Sequence, residues 1–119
     1  MAEILVLDDV PDALMLLKKI LSRKQHSVHT FSEEEEAIAF AEKHYLDLAI
    51  LDIKLKKMSG IRVLEQLKKS NPTLKVIMLT GYPTIETARE ALALGAGEYC
   101  VKPIDKTELE EKVAAVLAR

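Results

Sequence analysis

The stretch Ile4-Leu5-Val6-Leu7-Asp8-Asp9 joins a short apolar run directly to a pair of carboxylates, and it decides the fold. Short apolar runs of this kind are typical of buried parallel strands, and the carboxyl ends of such strands lie along one edge of a sheet. Open α/β folds bind ligands at that edge. Three later runs repeat the pattern: Leu48 to Leu51 before Asp52, Val76 to Leu79 before Thr80, and Tyr99 to Val101 before Lys102 and Pro103. The sequence therefore predicts one site assembled from the ends of four strands.

The bulk composition favours an ordinary globular protein. A length of 119 residues predicts a single domain over residues 1–119. No apolar run approaches the ~20 residues needed to span a membrane, so we expect a soluble, cytoplasmic protein without a membrane partner. The net charge of −2 argues against direct binding of nucleic acid. The single cysteine, Cys100, lies in an apolar run and is interpreted as a buried apolar residue rather than a redox group.

Strand-like and helix-like patterns alternate along the chain, five of each, which predicts βαβ units and a parallel sheet. Besides the runs above, Val28 to Phe31 is predicted as a short edge strand. The fourth helix is predicted to contain Ile85, Ala88 and Leu92. The predicted inward residues of three other helices are Leu14, Leu17 and Leu21; Val63, Leu64 and Leu67; and Leu109, Val113, Val116 and Leu117.

Capping residues predict where the helices begin. Three helix starts carry such signals: Ser32 with Glu35, Ser59, and Asp105 with Glu108. The acidic run Glu33 to Glu36 then needs no ligand to explain it, because it places negative charge at the positive end of a helix dipole.

Right-handed crossovers, with the most uniformly apolar runs in the middle, predict the strand order 2-1-3-4-5. The predicted fold class is therefore α/β, a doubly wound (βα)5 domain with a five-stranded parallel sheet. In this order the winding reverses between the first and third strands, which is where ligands bind. Asp8, Asp9 and Asp52 should converge there, with Thr80 and Lys102 beside them.

The three carboxylates predict a metal ion, because they would repel one another unless a cation neutralised them. Oxygen ligands favour Mg²⁺, or Mn²⁺ in its place, together with a phosphoryl group. A carboxylate beside such a metal can attack phosphorus and form an acyl phosphate. Lys102 would supply an ammonium for the transferring oxygens, and Thr80 would supply a hydroxyl donor. Each residue alone has an ordinary structural explanation, but their joint placement does not.

One set of residues, in this order at the ends of strands, resembles the response-regulator receiver domains of two-component signalling: Asp8-Asp9, Asp52, Thr80 and Lys102-Pro103. The resemblance covers the whole chain and implies the flavodoxin-like, CheY-like fold. It also implies that Asp52 accepts a phosphoryl group from a sensor histidine kinase or a phosphotransfer protein. Asp9 would bind Mg²⁺ directly, Asp8 would often act through water, and the backbone carbonyl of Lys54 would supply a further ligand.

The same resemblance implies roles for residues around the phosphorylation site. Thr80 and Tyr99 would move inward together on phosphorylation and remodel the surface of the fourth helix, fifth strand and fifth helix, through which a homodimer is possible. Gly81 would be the small residue beside the phosphoryl group, and the bond between Lys102 and Pro103 would be cis. The receiver would control an output domain or an effector protein, with transcription regulation as the expected outcome.

The chain departs from the receiver pattern in the loop after Asp52. Receivers commonly have proline where this chain has Lys56, although Met58 and Gly60 keep the rest of the pattern. Loop rigidity is therefore an open question. Lys54 and Tyr82 occupy positions that, by resemblance, flank the path of the attacking water, so we expect them to tune the lifetime of the phosphoryl group.

Two other classes of function stay open at this point. A small metal-dependent phosphohydrolase could use the same chemistry, but position 54 is Lys rather than an acid/base carboxylate. A receiver-like adaptor could bind partners without phosphorylation, but it would not need the full set of site residues. We therefore expect a switch rather than an enzyme, one that catalyses only its own phosphoryl transfer and dephosphorylation. The histidines His26, His29 and His44 lack metal-site spacing and are interpreted as structural or surface residues.

Overall fold

The computed structural model describes residues 1–119 and shows five strands alternating with five helices. The strands are β1 Glu3–Leu7, β2 Ser27–Phe31, β3 Leu48–Leu51, β4 Lys75–Thr80 and β5 Glu98–Val101. The helices are α1 Pro11–Ser22, α2 Glu34–Lys43, α3 Gly60–Ser70, α4 Ile85–Ala93 and α5 Lys106–Leu117. None of these helices combines the length and apolar character needed to cross a bilayer.

The sheet is fully parallel, with the order β2-β1-β3-β4-β5, which confirms the predicted topology. Its register decides where the reactive residues lie. Leu7 pairs with Leu51, so Asp8 and Asp52, the next residues of the two strands, emerge side by side. The ladder extends one step further, since the Asp52 N–H donates to the Leu7 carbonyl at 3.0 Å. Strand pairing thus joins two halves of the predicted site.

Apolar side chains cover both faces of the sheet, because alternate residues of a strand point to opposite sides. On one face, residues such as Ile4 and Ile50 pack with α1 and α5. On the other, residues such as Leu5, Leu51 and Met78 pack with α2, α3 and α4. The predicted inward residues of α1, α3 and α5 are buried, except that Leu117 is only partly buried.

The structure corrects one helix start and refines another. The predicted cap Ser32 is wrong: α2 begins at Glu34, after an N-cap at Glu33 that makes no side-chain capping bond. Ser59 caps α3 as predicted, accepting a hydrogen bond from the Ile61 N–H at 3.1 Å. Asp105 caps α5 by accepting from the Glu108 N–H at 2.7 Å, but the reciprocal bond of a capping box is absent.

Helix α4 is the least buried helix. Its one buried residue is Ala91, whereas Ile85 and Leu92 are exposed. Small residues let this helix lie against the sheet with little apolar contact, and Thr84 caps its first turn by accepting from the Thr87 N–H at 3.0 Å. Segments with few buried apolar contacts are the ones that move at least cost.

Candidate functional site

The three predicted carboxylates meet at the carboxyl edge of the sheet. One oxygen from each of Asp8, Asp9 and Asp52 lies within 4.8 Å of the others. Asp8 and Asp52 are 2% and 6% exposed, and Asp9 is partly exposed. The cluster is therefore recessed at its base and open to solvent on the side of Asp9.

Lys102 binds two of these carboxylates at once. Its Nζ atom lies 2.6 Å from Oδ2 of Asp8 and 3.1 Å from Oδ2 of Asp52. Burial lowers the pKa of Lys102, but the hydrogen bonds to Asp8 and Asp52 outweigh burial, so the pKa lies above its ordinary value. The ammonium therefore stays charged at neutral pH and offsets part of the negative charge of the cluster.

The remaining carboxylate oxygens have defined orientations. Oδ1 of Asp8 accepts from the Val10 N–H at 2.9 Å, and Oδ1 of Asp52 accepts from the Ile53 N–H at 2.7 Å. The Asp9 carboxylate makes no hydrogen bond within the protein. Asp9 is thus the carboxylate with the most capacity left to bind a ligand.

The donor set of the cluster fits a hard divalent cation. Three carboxylates supply oxygen atoms only, and no nitrogen or sulfur ligand accompanies them. A single ammonium is the only positive side chain bonded to them, so negative charge remains in excess. Mg²⁺ and Mn²⁺ suit oxygen ligands with open positions for water or phosphate. The site residues therefore fit the predicted metal.

Thr80 and Gly81 form the next part of the rim. Thr80 is fully buried at the end of β4, and its Oγ1 accepts from the Tyr82 N–H at 3.1 Å. A Cβ atom added to Gly81 would lie 4.0 Å from the nearest side-chain atoms of Lys102, an ordinary contact. The space beside Gly81 is therefore open, and it borders the Lys102 side chain that binds the carboxylates.

Tyr99 lies on the same side of the sheet as Thr80, because Thr80 pairs with Val101 in register and Tyr99 precedes Val101 by two residues. Its hydroxyl is 2.7 Å from Oγ1 of Thr87 and accepts from the Thr84 N–H at 3.4 Å. Tyr99 is thereby tied to the first turn of α4. The structure places the two predicted switch residues on adjacent strands facing this helix.

Lys54 follows β3 and Tyr82 follows β4, and their side chains touch although they come from different loops. The Nζ atom of Lys54 lies 4.3 Å from the centre of the Tyr82 ring, a cation–π contact. Both residues are exposed. The sequence pointed to each position separately, but it carried no sign that the two side chains pair.

The backbone of Gly60 packs directly against the backbone of Asp52, the candidate phosphoacceptor. A Cβ atom at this position would lie 1.8 Å from the backbone oxygen of Asp52, so only glycine fits without a shift of the backbone. The Gly60 N–H also donates to the Ile53 carbonyl at 2.8 Å, which closes the base of the loop between β3 and α3. Glycine is required at position 60 because its backbone lies too close to the Asp52 carbonyl for any side chain to fit.

Glu34 has a role beyond the helix-dipole charge that the acidic run predicts. It is fully buried, and its Oε2 atom accepts from the N–H groups of Lys57 and Met58 at 2.5 and 2.8 Å. The burial of Glu34 was not predicted, because interaction with the helix dipole accounts for all four glutamates of the run equally well. The available signal was helical spacing, which places Glu34 on the same inward face as Ala37.

The other singled-out residues have structural roles. His26 accepts from the Ala2 N–H at 3.0 Å, His29 pairs with Glu3 at 2.9 Å, and His44 is exposed. Cys100 is buried, and burial raises the pKa of its thiol, so it is an apolar core residue as predicted. The peptide bond between Lys102 and Pro103 is cis, as the resemblance implies.

Comparison with known proteins identifies the class of this fold and site. The sequence matches the family model described as "Response regulator receiver domain" over residues 4–114. The chain therefore belongs to the response regulator receiver domains of two-component systems, and the resemblance drawn from the site residues is confirmed.

Two curated relatives are transcriptional regulators. The chain is 32% identical over 116 residues to the transcriptional regulatory protein ZraR of Salmonella typhimurium, covering 98% of this chain and 26% of ZraR. It is 37% identical over 117 residues to the alkaline phosphatase synthesis transcriptional regulatory protein PhoP of Bacillus subtilis, covering 98% of this chain and 49% of PhoP. The chain thus spans about a quarter to a half of these relatives.

Solved structures share the whole fold. A CheY-like receiver domain protein from Methanospirillum hungatei has a TM-score of 0.97 at 35% identity, covering 99% of this chain and 94% of its own. The response regulator TrrA of Thermotoga maritima, solved in complex with Mg²⁺-BeF, has a TM-score of 0.88 at 35% identity, covering 98% of this chain and 99% of its own. The predicted CheY-like fold class is confirmed.

Proposed function

We propose that this receiver domain is a phosphorylation-activated switch whose phosphoacceptor is Asp52. The observation that carries the proposal is the position of this carboxylate: it lies beside two further carboxylates, and Lys102 Nζ is 3.1 Å from its Oδ2 atom. A nucleophilic carboxylate, a place for a divalent cation and an ammonium for the transferring oxygens are the components that phosphoryl transfer requires.

The phosphodonor in this proposal is the phosphohistidine of a sensor histidine kinase or of a phosphotransfer protein. A carboxylate oxygen of Asp52 attacks phosphorus, a new O–P bond forms, and the P–N bond of the donor breaks. The imidazole nitrogen keeps the electron pair of that bond and takes a proton from solvent. Lys102 stays protonated and shifts from the carboxylates toward the incoming phosphoryl oxygens, whose negative charge it offsets.

The metal in this proposal is Mg²⁺, or Mn²⁺ in its place, held by Asp9, by Asp52, by the backbone carbonyl of Lys54 and by Asp8, often through water. When bound, the ion neutralises charge on the transferring oxygens. Asp8 also holds Lys102 in position through the bond of 2.6 Å, so it orients the ammonium as well as the metal. Gly81 leaves the space that the phosphoryl group fills.

Switching in this proposal follows from the new acceptor oxygens on Asp52. The Thr80 hydroxyl, now turned to the Tyr82 N–H, can donate to a phosphoryl oxygen instead. Its movement vacates space on the side of the sheet that Tyr99 shares. Tyr99 then moves inward and changes its contacts with α4, the helix that the fold holds least firmly. The surface formed by α4, β5 and α5 is the proposed output.

The partners of that surface are proposed from its exposed apolar residues and from the relatives. Ile85, Leu92 and Val101 are all exposed there. They suit an output domain, an effector protein or a second copy of this chain in a homodimer, and the regulators ZraR and PhoP favour control of transcription. We propose that the domain acts in the cytoplasm, binds no nucleic acid or membrane itself, and has no catalytic activity beyond its own phosphorylation and dephosphorylation.

The test is to incubate the protein with acetyl phosphate and Mg²⁺ and to compare its intact mass with that of Asp52→Ala. A lasting adduct of one phosphoryl group in the wild type alone supports the switch. Rapid and continuous release of phosphate would favour the phosphohydrolase, since an enzyme turns over. An unmodified wild type would favour an adaptor that binds without phosphorylation.

A further inference from the structure

A buried carboxylate from α2 holds the loop that follows the phosphoacceptor. Glu34 is fully buried, and the nearby Lys57 ammonium pairs with Glu35 rather than with Glu34. Its Oε2 atom accepts two backbone N–H groups, from Lys57 at 2.5 Å and from Met58 at 2.8 Å. Its Oε1 atom is buried without a hydrogen-bond partner.

The unpaired Oε1 atom of Glu34 destabilises the folded state, so other interactions of this residue must compensate. A buried acceptor without a partner destabilises the fold, and the two charge-assisted hydrogen bonds on the other oxygen are the contribution that can balance it. Burial raises the pKa of Glu34, but the N–H groups of Met58 and Lys57 outweigh burial and keep the pKa below its ordinary value. Glu34 is therefore an ionised clamp on the loop at neutral pH.

The clamped loop, residues 52–59, carries the proposed site residues Asp52 and Lys54 and contains no proline. Its base is closed by the hydrogen bond from Gly60 N–H to the Ile53 carbonyl at 2.8 Å. Its outer part contains Lys56, which is exposed. Glu34 supplies the second attachment point, on the far side of Lys56 from Lys54, so the segment with the proposed carbonyl ligand is fixed at both ends.

We propose that Glu34 is a positioning residue for the metal and phosphoryl site, and that it acts by fixing the loop between β3 and α3. The inference rests on the proposed function. Because the loop amides are fixed by an element that contacts neither metal nor phosphoryl group, Glu34 acts at a distance, through the placement of the Lys54 carbonyl and of the backbone next to Asp52.

The test compares Glu34→Gln and Glu34→Ala with Glu36→Gln, a matched control on the exposed side of the same helix. Two readouts are used: the Mg²⁺ dissociation constant from calorimetry, and the hydrogen-exchange rates of the Lys57 and Met58 amides from NMR. Loss of a residue that orients metal ligands typically weakens metal binding by about tenfold or more, which is the expectation for Glu34→Ala. Glu34→Gln, which keeps an acceptor but loses the charge, should weaken Mg²⁺ binding by about threefold and speed exchange at both amides by about tenfold.

Each result decides the inference. If Glu34→Ala fails to fold, Glu34→Gln carries the test. Unchanged exchange at both amides in that variant would show that the clamp does not hold the loop, and faster exchange with unchanged Mg²⁺ affinity would show that the loop does not position the metal. A wild type that binds Mg²⁺ but takes no phosphoryl group from acetyl phosphate would contradict the proposed function. The Mg²⁺ dissociation constants and amide exchange rates would still show whether Glu34 positions the loop and the metal ligands.

Discussion

The Nζ atom of Lys102 lies 2.6 Å from Oδ2 of Asp8, although 94 residues separate the two in the chain. The same ammonium is 3.1 Å from Oδ2 of Asp52. Lys102 thus occupies, with its positive charge, the edge of the carboxylate cluster that a divalent cation would also approach. In the proposed metal site the ammonium and the cation would share the carboxylates of Asp8 and Asp52, so each would weaken the binding of the other.

Lys102→Met should therefore bind Mg²⁺ more tightly than the wild type, by about fivefold or more, because a positive charge a few ångströms away is removed. The same variant should accept the phosphoryl group from acetyl phosphate more slowly, since the ammonium no longer offsets charge on the transferring oxygens. Calorimetry and the rate of adduct formation measure the two effects. Lys106→Met, an exposed lysine at the start of α5, is the control. Weaker Mg²⁺ binding in Lys102→Met would show that this lysine supports the metal instead of competing with it.

Gly60→Ala should destabilise the fold by about 2 kcal/mol or more. The added Cβ would lie 1.8 Å from the Asp52 carbonyl oxygen, so the backbone next to the phosphoacceptor has to shift. Gly81→Ala is the matched control, because its Cβ has 4.0 Å of clearance. Urea unfolding of the two variants measures the difference, and equal stabilities would mean that Asp52 and Gly60 are not as closely packed as described.

The Lys54–Tyr82 pair should slow the loss of the phosphoryl group, since the resemblance to receivers places both residues beside the path of the attacking water. Tyr82→Ala and Lys54→Ala should each speed dephosphorylation, and Tyr82→Phe, which keeps the ring, should not. A cation–π contact at an exposed site is worth about 0.5–1 kcal/mol, so the two Ala effects should fall short of additivity by about two- to fivefold. Following the phosphorylated fraction over time measures each rate. Fully additive effects would show that the two residues act separately. An unchanged dephosphorylation rate in the double variant would show that neither residue controls the lifetime of the phosphoryl group.

Tyr99 should be coupled to α4 through Thr87. Thr87→Val and Tyr99→Phe each remove one partner of the 2.7 Å hydrogen bond, and each should lower the free energy of unfolding by about 1 kcal/mol. The double variant should lose less than the sum, because the shared bond can be lost only once. Urea unfolding of all four proteins measures this cycle, and strict additivity would indicate that the tyrosine hydroxyl does not depend on Thr87.

Glu34 also predicts a pH dependence. A carboxylate whose folded pKa is lowered contributes stability that is present above its unfolded pKa of about 4.3 and is lost as the pH falls through the folded value. Glu34→Gln lacks this contribution. The difference in unfolding free energy between wild type and variant should thus be largest at neutral pH and shrink as the pH falls through the lowered pKa of Glu34. A difference that stays constant with pH would mean that the charge of Glu34 contributes nothing.

The strand ends of the site could be predicted because two independent patterns agreed there. Apolar runs such as Ile4 to Leu7 identify buried parallel strands, and parallel strands bring their carboxyl ends together whatever the intervening sequence. Asp8, Asp52 and Lys102 follow such runs directly, so their convergence needs only the strand order. Ser59 and Asp105 were predictable as caps because capping depends on nearest neighbours in sequence.

Contacts between loops could not be predicted in this way. The approach of Lys54 to Tyr82 depends on the path of two separate loops. The burial of Glu34 depends on where the loop after β3 folds back, and a local rule, charge at a helix start, gave an adequate but incomplete explanation of the same residue. The failed cap at Ser32 has the same origin, since α2 begins where Glu34 meets the loop.

The most direct test of the central claim is to locate the phosphoryl group. After reaction with acetyl phosphate and Mg²⁺, borohydride reduction converts an aspartyl phosphate to homoserine, and mass spectrometry of peptides identifies the converted residue. We predict conversion at Asp52 alone, dependent on Mg²⁺ and strongly reduced in Asp9→Ala. Conversion at Asp8 or Asp9 with Asp52 unmodified, or equal conversion with the metal chelated, would contradict the account.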